Sequence, residues 1–368
     1  MTADFLGLAN PGVQKLSPYQ PGKPVEALQR ELGLTDVIKL ASNENPSGPG
    51  EKARAAARHA LDEIHRYPDG SGFRLKQALS QRLDVDSDCI TLGNGSNDVL
   101  ELVARAWVRP GDEVVISEYA FAIYTLVTLG CSATPVTVPA RNFGHDLEAM
   151  ADAVTERTRV IYIANPNNPT GTWSTARELD GLLARVPEHV LVVLDEAYLE
   201  YVEEEEYPDG LRRLQRHPNL IVTRTFSKIH GLAGLRVGYG VSSPEVADVL
   251  NRVRQPFNCN LAALAAAEAA LEDHHYVEHS RDLNTAGLAQ LAEGFQRMKL
   301  DWIPSVANFI TVDCGCEVAP VYEALLREGV IVRPLAGAGM PRHLRVTTGL
   351  PGENDRFLAA LRRVLETL

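Results

Sequence analysis

From residue 89 onward the chain alternates two patterns. Apolar runs of strand length recur at 89–92, 113–117, 133–138, 159–164, 190–195, 219–223 and 236–241. Between them, apolar residues return every third or fourth position at 146–154, 175–185, 244–253 and 261–272; Val99 to Trp107 carries them at 99, 102, 103 and 106. Continuous apolar strands separated by amphipathic helices predict a mostly parallel sheet covered by helices on both faces. Upstream, 51–66 places Ala53, Ala57, Ala60, Leu61 and Ile64 on one helical side and stops at the turn signal Tyr67-Pro68-Asp69-Gly70. A second short helix covers about 72–83. After about 275 the character shifts to a long helix (275–297), strands at 307–312 and 343–347, and helices at 318–328 and 353–367.

The expected fold is therefore α/β: a large domain with a mostly parallel, helix-covered sheet, and a smaller α+β domain. The expected division is 1–45 for an N-terminal arm and the start of the small domain, 46–275 for the large domain and 276–368 for the small one. The arm reads as extended because Pro and Gly crowd it, most densely in Leu16-Ser17-Pro18-Tyr19-Gln20-Pro21-Gly22-Lys23-Pro24.

Composition narrows the classes. The 368 residues exceed the usual single-core size, and 45% hydrophobic with 23% charged residues is ordinary for a globular protein. A net charge of −12 argues against a nucleic-acid footprint. Five scattered cysteines form no zinc-type set and fit reduced thiols. The first residues lack a basic, then apolar, leader pattern, and charge interrupts the apolar runs before membrane-spanning length. The expectation is a cytoplasmic protein without membrane or nucleic-acid partners.

Ligands of open parallel sheets bind beyond the carboxyl ends of the strands, so the residues just past each strand matter. Gly95-Ser96-Asn97 lies past the first and opens a helix, whose free amides attract phosphate. Tyr119 lies past the second. Asn165-Pro166-Asn167-Asn168-Pro169-Thr170-Gly171 lies past 159–164, two prolines and a glycine fixing a loop that could aim Asn168 inward. Asp195-Glu196-Ala197-Tyr198 lies past 190–194. Thr225, Ser227 and Lys228 lie past 219–223, with Gly231, Gly234 and Arg236 close behind. Hydroxyls, amides and an arginine could hold a phosphate, and an amine beside such a cradle suggests Schiff-base chemistry on a phosphorylated aldehyde. Asp195-Glu196 also resembles the magnesium-binding acid of a nucleotide hydrolase, but that needs a GxxxxGK[ST] loop, which is missing. Gly93 and Gly95 supply only two glycines of a dinucleotide fingerprint. His275 and His279, one helical turn apart, read as a surface helix, not a metal site.

These residues carry a resemblance. Asn-Pro-Asn-Asn-Pro-Thr-Gly at 165–171, Asp195 with Tyr198, Ser227-Lys228, and Arg236 in Gly-Leu-Arg-Val-Gly-Tyr resemble fold-type-I pyridoxal-phosphate aminotransferases. Leu-Ser-Pro-Tyr-Gln-Pro-Gly-Lys near the start, Ala-Ser-Asn-Glu-Asn-Pro at 41–46 and Arg66-Tyr67-Pro68 narrow the likeness to the histidinol-phosphate aminotransferase family, over nearly the whole chain. The resemblance implies pyridoxal 5'-phosphate as cofactor, with Lys228 as its covalent anchor and proton carrier and Asp195 on the pyridinium nitrogen. It puts Tyr198 and Asn168 on the ring oxygen and Tyr119 stacked on the ring. The cofactor phosphate falls to Gly95, Ser96, Asn97, Thr225, Ser227 and Arg236, with Tyr67 reaching in from the other subunit of a homodimer. Arg345 would take a carboxylate from glutamate or 2-oxoglutarate; Arg333 and Tyr19 would grip the phosphate of histidinol phosphate. Family members often carry an acid where Asn97 stands. The implied reaction is transamination of L-histidinol phosphate with 2-oxoglutarate in histidine biosynthesis. An aromatic amino-acid aminotransferase and a threonine-phosphate decarboxylase remain alternatives on the same scaffold.

Overall fold

The computed structural model describes residues 3–19 and 21–368; Gln20 of the Pro-rich stretch lies outside them. The large domain is built on a seven-stranded sheet. Its strands lie in the order Ile90–Gly93, Gly238–Val241, Leu220–Thr225, Leu191–Asp195, Thr158–Ala164, Glu113–Ser117, Thr134–Val138. Only Gly238–Val241 runs against its neighbours; the other six are parallel. Their carboxyl ends therefore open on one side of the sheet.

The apolar runs are continuous because both faces are covered. Tyr162, Val193 and Ile221 pack into one core cluster with Leu100, Leu102 and Val103 of the helix Ser96–Trp107. Ile161, Val192, Leu194 and Val222 pack into another with Leu179 and Leu182 of Ala176–Leu183. Successive strand residues thus alternate between two buried faces, the signature of a doubly covered parallel sheet. Helix starts follow local chemistry: Thr175 and Glu178 form a capping box, and Ser243 caps a helix that begins at Pro244.

The small domain holds a four-stranded antiparallel sheet, Arg333–Pro334, His343–Thr347, Phe309–Asp313 and Trp302–Ile303. Its core joins Ile310, Val312, Leu344 and Val346 to Phe295, Phe357 and Leu361 from the helices His274–Arg297 and Pro351–Thr367. Ile38–Lys39 pairs in parallel with Val330–Ile331.

Three stretches differ from the expectation. The helix predicted over 51–66 ends at Ala60 and continues as a 3-10 turn, Leu61–Glu63. The N-terminal region contains a helix, Val25–Leu32, whose Leu28 is fully buried against Ala41, Leu326 and Ile331; the prolines around it hide one good helical window. Ala122–Gly130 is also helical. Its sequence is apolar and β-branched almost throughout, so it shows no polar face, and packing decides its conformation.

Candidate active site

A cavity of about 380 Å³ lies at the carboxyl ends of the parallel strands. Its floor comes from the large sheet. Asp195, the last residue of its strand, is buried and sits beside Thr223 of the next strand. Thr223 Oγ1 donates to Asp195 Oδ1 at 3.1 Å, and Tyr124 Oη donates to Oδ2 at 2.9 Å. Burial pushes the Asp195 carboxyl above its ordinary value, while the two hydroxyls and the nearby Lys228 favour the anion. Its neighbour Glu196 points to the opposite face, where Arg224 Nε and Nη2 hold its Oε2 at 2.8 and 2.7 Å. The two acids therefore do not share a site.

Lys228 opens into the cavity, its Nζ donating to the Ser42 carbonyl at 3.2 Å. Burial pushes the amine down to about 8; the guanidinium groups of Arg345 and Arg236 act in the same sense, and Glu44 and Asp195 oppose them. A lysine so placed holds a far larger neutral fraction near neutral pH than an exposed lysine does, which favours nucleophilic amine chemistry.

One end of the cavity is a cradle for an anion. Thr225 Oγ1 donates to Ser227 Oγ at 3.0 Å and accepts the Ser227 amide at 3.1 Å, and Arg236 Nη1 lies 3.4 Å from the same Ser227 oxygen. The helix Ser96–Trp107 starts here with no side-chain cap, so its first amides stay available. Gly95 has φ +85°, and a Cβ there would stand 2.4 Å from Arg236 Nη2. Only glycine lets the arginine reach this corner. An uncapped helix start, two hydroxyls and an arginine fit the phosphate of pyridoxal phosphate, and Lys228 with Asp195 fits its aldehyde and ring nitrogen.

The opposite wall comes from the small domain and the N-terminal segment. Arg345 is buried: Nη1 donates to Asn168 Oδ1 at 2.5 Å, Nη2 to the Ala41 carbonyl at 2.6 Å, and its Cζ lies 5.3 Å from the Phe309 ring centre. Its Nε is buried without a partner. Burial pushes this guanidinium down to about 10. Arg333 lies over the Tyr19 ring at 5.7 Å, and both line the cavity. Tyr198 Oη accepts from Asn43 Nδ2 at 2.9 Å, and burial pushes the phenol up to about 12.

The family model for aminotransferase class I and II matches residues 35–361. The chain is 62% identical to histidinol-phosphate aminotransferase 2 of Pseudomonas fluorescens over 367 residues, covering 99% of each chain. It is 59% identical to histidinol-phosphate aminotransferase 1 of Nitrosococcus oceani over 98% of each. The chain belongs to the class I and II aminotransferases. A solved histidinol-phosphate aminotransferase from Sinorhizobium meliloti, in complex with pyridoxal-5'-phosphate, superimposes with a TM-score of 0.91 at 32% identity over 98% of both chains. Aspartate aminotransferase of Thermus thermophilus with maleate, at 23% identity and a TM-score of 0.84, shares the fold.

In this aminotransferase the predicted residues Tyr19, Ser96, Asn97, Asn168, Asp195, Tyr198, Thr225, Ser227, Lys228, Arg236, Arg333 and Arg345 all line one cavity. Two expected residues stand elsewhere. Tyr119 is a correction: its ring stacks on Phe143 at 5.9 Å and packs beside Leu335 and Met340, while Phe121 takes the cavity wall. The local reason is that the helix starts at Ala122, which turns the residue just before it, not Tyr119, toward the opening. Tyr67 is 81% exposed and stacked on Phe257 at 4.7 Å, away from this chain's own cavity. Sequence reasoning missed Ser42, Asn43, Glu44, Phe121, Tyr124 and Thr223. The stretch 41–46 did stand out by resemblance; nothing in the periodicity pointed to Tyr124, which lies within the unexpected helix.

Proposed function

We propose that this chain is a pyridoxal-phosphate-dependent aminotransferase that passes the amino group of L-histidinol phosphate to 2-oxoglutarate. The observation that carries the reading is the position of Lys228: a half-buried amine between an anion cradle at Arg236 and a pair of arginines, Arg333 and Arg345, on the facing wall. The relatives named histidinol-phosphate aminotransferase support the choice of donor.

When bound, pyridoxal phosphate supplies an electron sink that stabilises negative charge on the substrate carbon bearing nitrogen. Everything else falls to the chain. Ser96, Asn97, Thr225, Ser227 and Arg236 hold the phosphate, so the grip on the cofactor does not depend on Lys228. Asp195, whose anion the Tyr124 and Thr223 hydroxyls stabilise against burial, would favour a protonated ring nitrogen. Tyr198 and Asn168 would hold the ring oxygen, and Phe121 on the cavity wall would face the ring. Lys228 Nζ would carry the proton taken from the amine-bearing carbon, as base and then acid. Arg345 takes the carboxylate of glutamate or 2-oxoglutarate through its planar fork. Arg333 with Tyr19 takes the phosphate of the donor.

The same reading includes a cytoplasmic homodimer in which exposed Tyr67 serves the partner's cofactor phosphate. Among the described residues no helix is long and apolar enough to cross a membrane. The direct test compares L-histidinol phosphate, phenylalanine and tyrosine as donors to 2-oxoglutarate. A higher kcat/KM for histidinol phosphate is expected; a higher value for phenylalanine overturns the assignment in favour of the aromatic enzyme, and release of carbon dioxide favours the decarboxylase.

A further inference from the structure

The charges on the cavity wall are unequal. Among the described residues lining it, Lys228, Arg236, Arg333 and Arg345 bring four cationic groups, against two acids, Asp195 and Glu44. Asp195 is committed on the floor to Tyr124 and Thr223. Glu44 is not. It stands beside Asn43, which reaches Tyr198, and Ser42, which reaches Lys228. Its carboxylate is close enough to Lys228 to oppose the fall of that amine's pKa. Lys39 Nζ donates to Glu44 Oε1 at 2.8 Å, yet the Glu44 side chain keeps 44% of its surface exposed. A carboxylate has two oxygens and about four acceptor sites, so Lys39 leaves it room for a ligand.

We infer that Glu44 reads the ring of the amino donor: its carboxylate accepts the imidazole N–H and so selects an imidazolyl donor over a phenyl one. The inference rests on the histidinol-phosphate reading above. Arg236, Arg333 and Arg345 each already have an anion of the two substrates or of the cofactor to hold, and none of those anions can approach Glu44 without repulsion. The donor's remaining polar group is its imidazole, which offers an N–H. A phenyl ring pressed against Glu44 would strip water from the carboxylate and return no hydrogen bond, so the same residue also rejects the wrong ring. For glutamate and 2-oxoglutarate the acid is a repulsive wall that turns both carboxylates toward the arginines.

The test uses the complete, cofactor-loaded enzyme and separates the two half-reactions. L-Histidinol phosphate, L-phenylalaninol phosphate and L-glutamate are reacted singly with wild type, Glu44→Gln and Lys39→Met. In Glu44→Gln the kcat/KM for histidinol phosphate is expected to fall by about tenfold, because a neutral amide oxygen accepts the imidazole N–H more weakly than a carboxylate does. The value for phenylalaninol phosphate should hold or rise, and glutamate should change by less than about threefold, because Arg345 still grips it. Lys39→Met should keep the preference for the imidazole ring. An equal loss for all three donors in Glu44→Gln, an unchanged imidazole-to-phenyl ratio, or the same loss of that ratio in Lys39→Met overturns the inference while the proposed function stands. A wild type that does not turn over histidinol phosphate removes the proposed function and this inference with it.

Discussion

The floor and the facing wall of the cavity are built by different means. The floor is local: Asp195, Thr223, Thr225, Ser227 and Lys228 come from the ends of two adjacent strands, and their hydrogen bonds run between neighbours in the sheet. The wall is assembled from far apart in the chain. Asn43 N donates to Thr347 Oγ1 across 304 residues, Arg345 reaches the Ala41 carbonyl over the same separation, and Asn43 reaches Tyr198 over 155. A site divided in this way keeps the residues proposed for proton transfer on the sheet. On the roles proposed above, it puts the choice of substrate on segments that can differ without disturbing that sheet.

The contrast can be broken first at the floor. Lys228→Ala is expected to abolish turnover and the visible absorbance of bound cofactor, while cofactor stays bound through Arg236, Ser227 and the helix start; absorbance spectroscopy and cofactor quantification check both. Loss of Asp195 comes next: Asp195→Ala should cost about 3–5 kcal/mol of transition-state stabilisation, read as kcat/KM for both half-reactions. Near-normal turnover would remove it from the mechanism. At the wall the effect should be one-sided. Arg345→Gln should lower kcat/KM for glutamate by about a hundredfold, the loss of a bidentate charged contact, more than for histidinol phosphate.

Smaller effects sharpen the contrast. The neutral form of Lys228 grows as pH rises through about 8, so the rate at which apoenzyme takes up pyridoxal phosphate should rise through that value and then level. Arg345 helps depress this amine, so Arg345→Gln should move the midpoint to higher pH; an unmoved midpoint would leave burial and Arg236 as the causes. The linkage has a definite sign. A lysine pKa below its ordinary 10.5 means the unfolded chain binds more protons between about 8 and 10.5, so this residue's penalty on apoenzyme stability is full below about 8 and fades as pH rises. The smallest effect is expected for Asn43→Ala, about 1 kcal/mol from one lost hydrogen bond to Tyr198, measured as a modest fall in kcat.

Particular residues show what can be read ahead of the fold. Strand ends such as Leu191–Asp195 are legible because a run buried on both faces must be apolar, so a terminal acid is conspicuous. Ser227-Lys228 and the 165–171 loop are legible because their chemistry is compact in sequence. Phe121 and Tyr124 are not, since an apolar helix without a polar face gives no phase from which to tell which aromatic faces the cavity. Glu44 is visible only as one letter of a motif, since its exposure and its pairing with Lys39 depend on how the small domain folds back.

By itself, then, the sequence determined the alternation of covered strands and helices, the anion cradle around Arg236, and Lys228 and Asp195 as the pair proposed to react. The alternation and the cradle come from short-range patterns: strand periodicity, glycine at a tight corner, and polar residues directly after apolar runs; the pairing of Asp195 with Lys228 comes from the family resemblance. Only the tertiary structure decided that Phe121 and not Tyr119 lines the cavity, that Tyr124 and Asn43 hold Asp195 and Tyr198, and that Glu44 stands open among four cations. Those facts depend on which distant segments pack together, and contacts over roughly 70 to 300 residues leave no period in the chain to read.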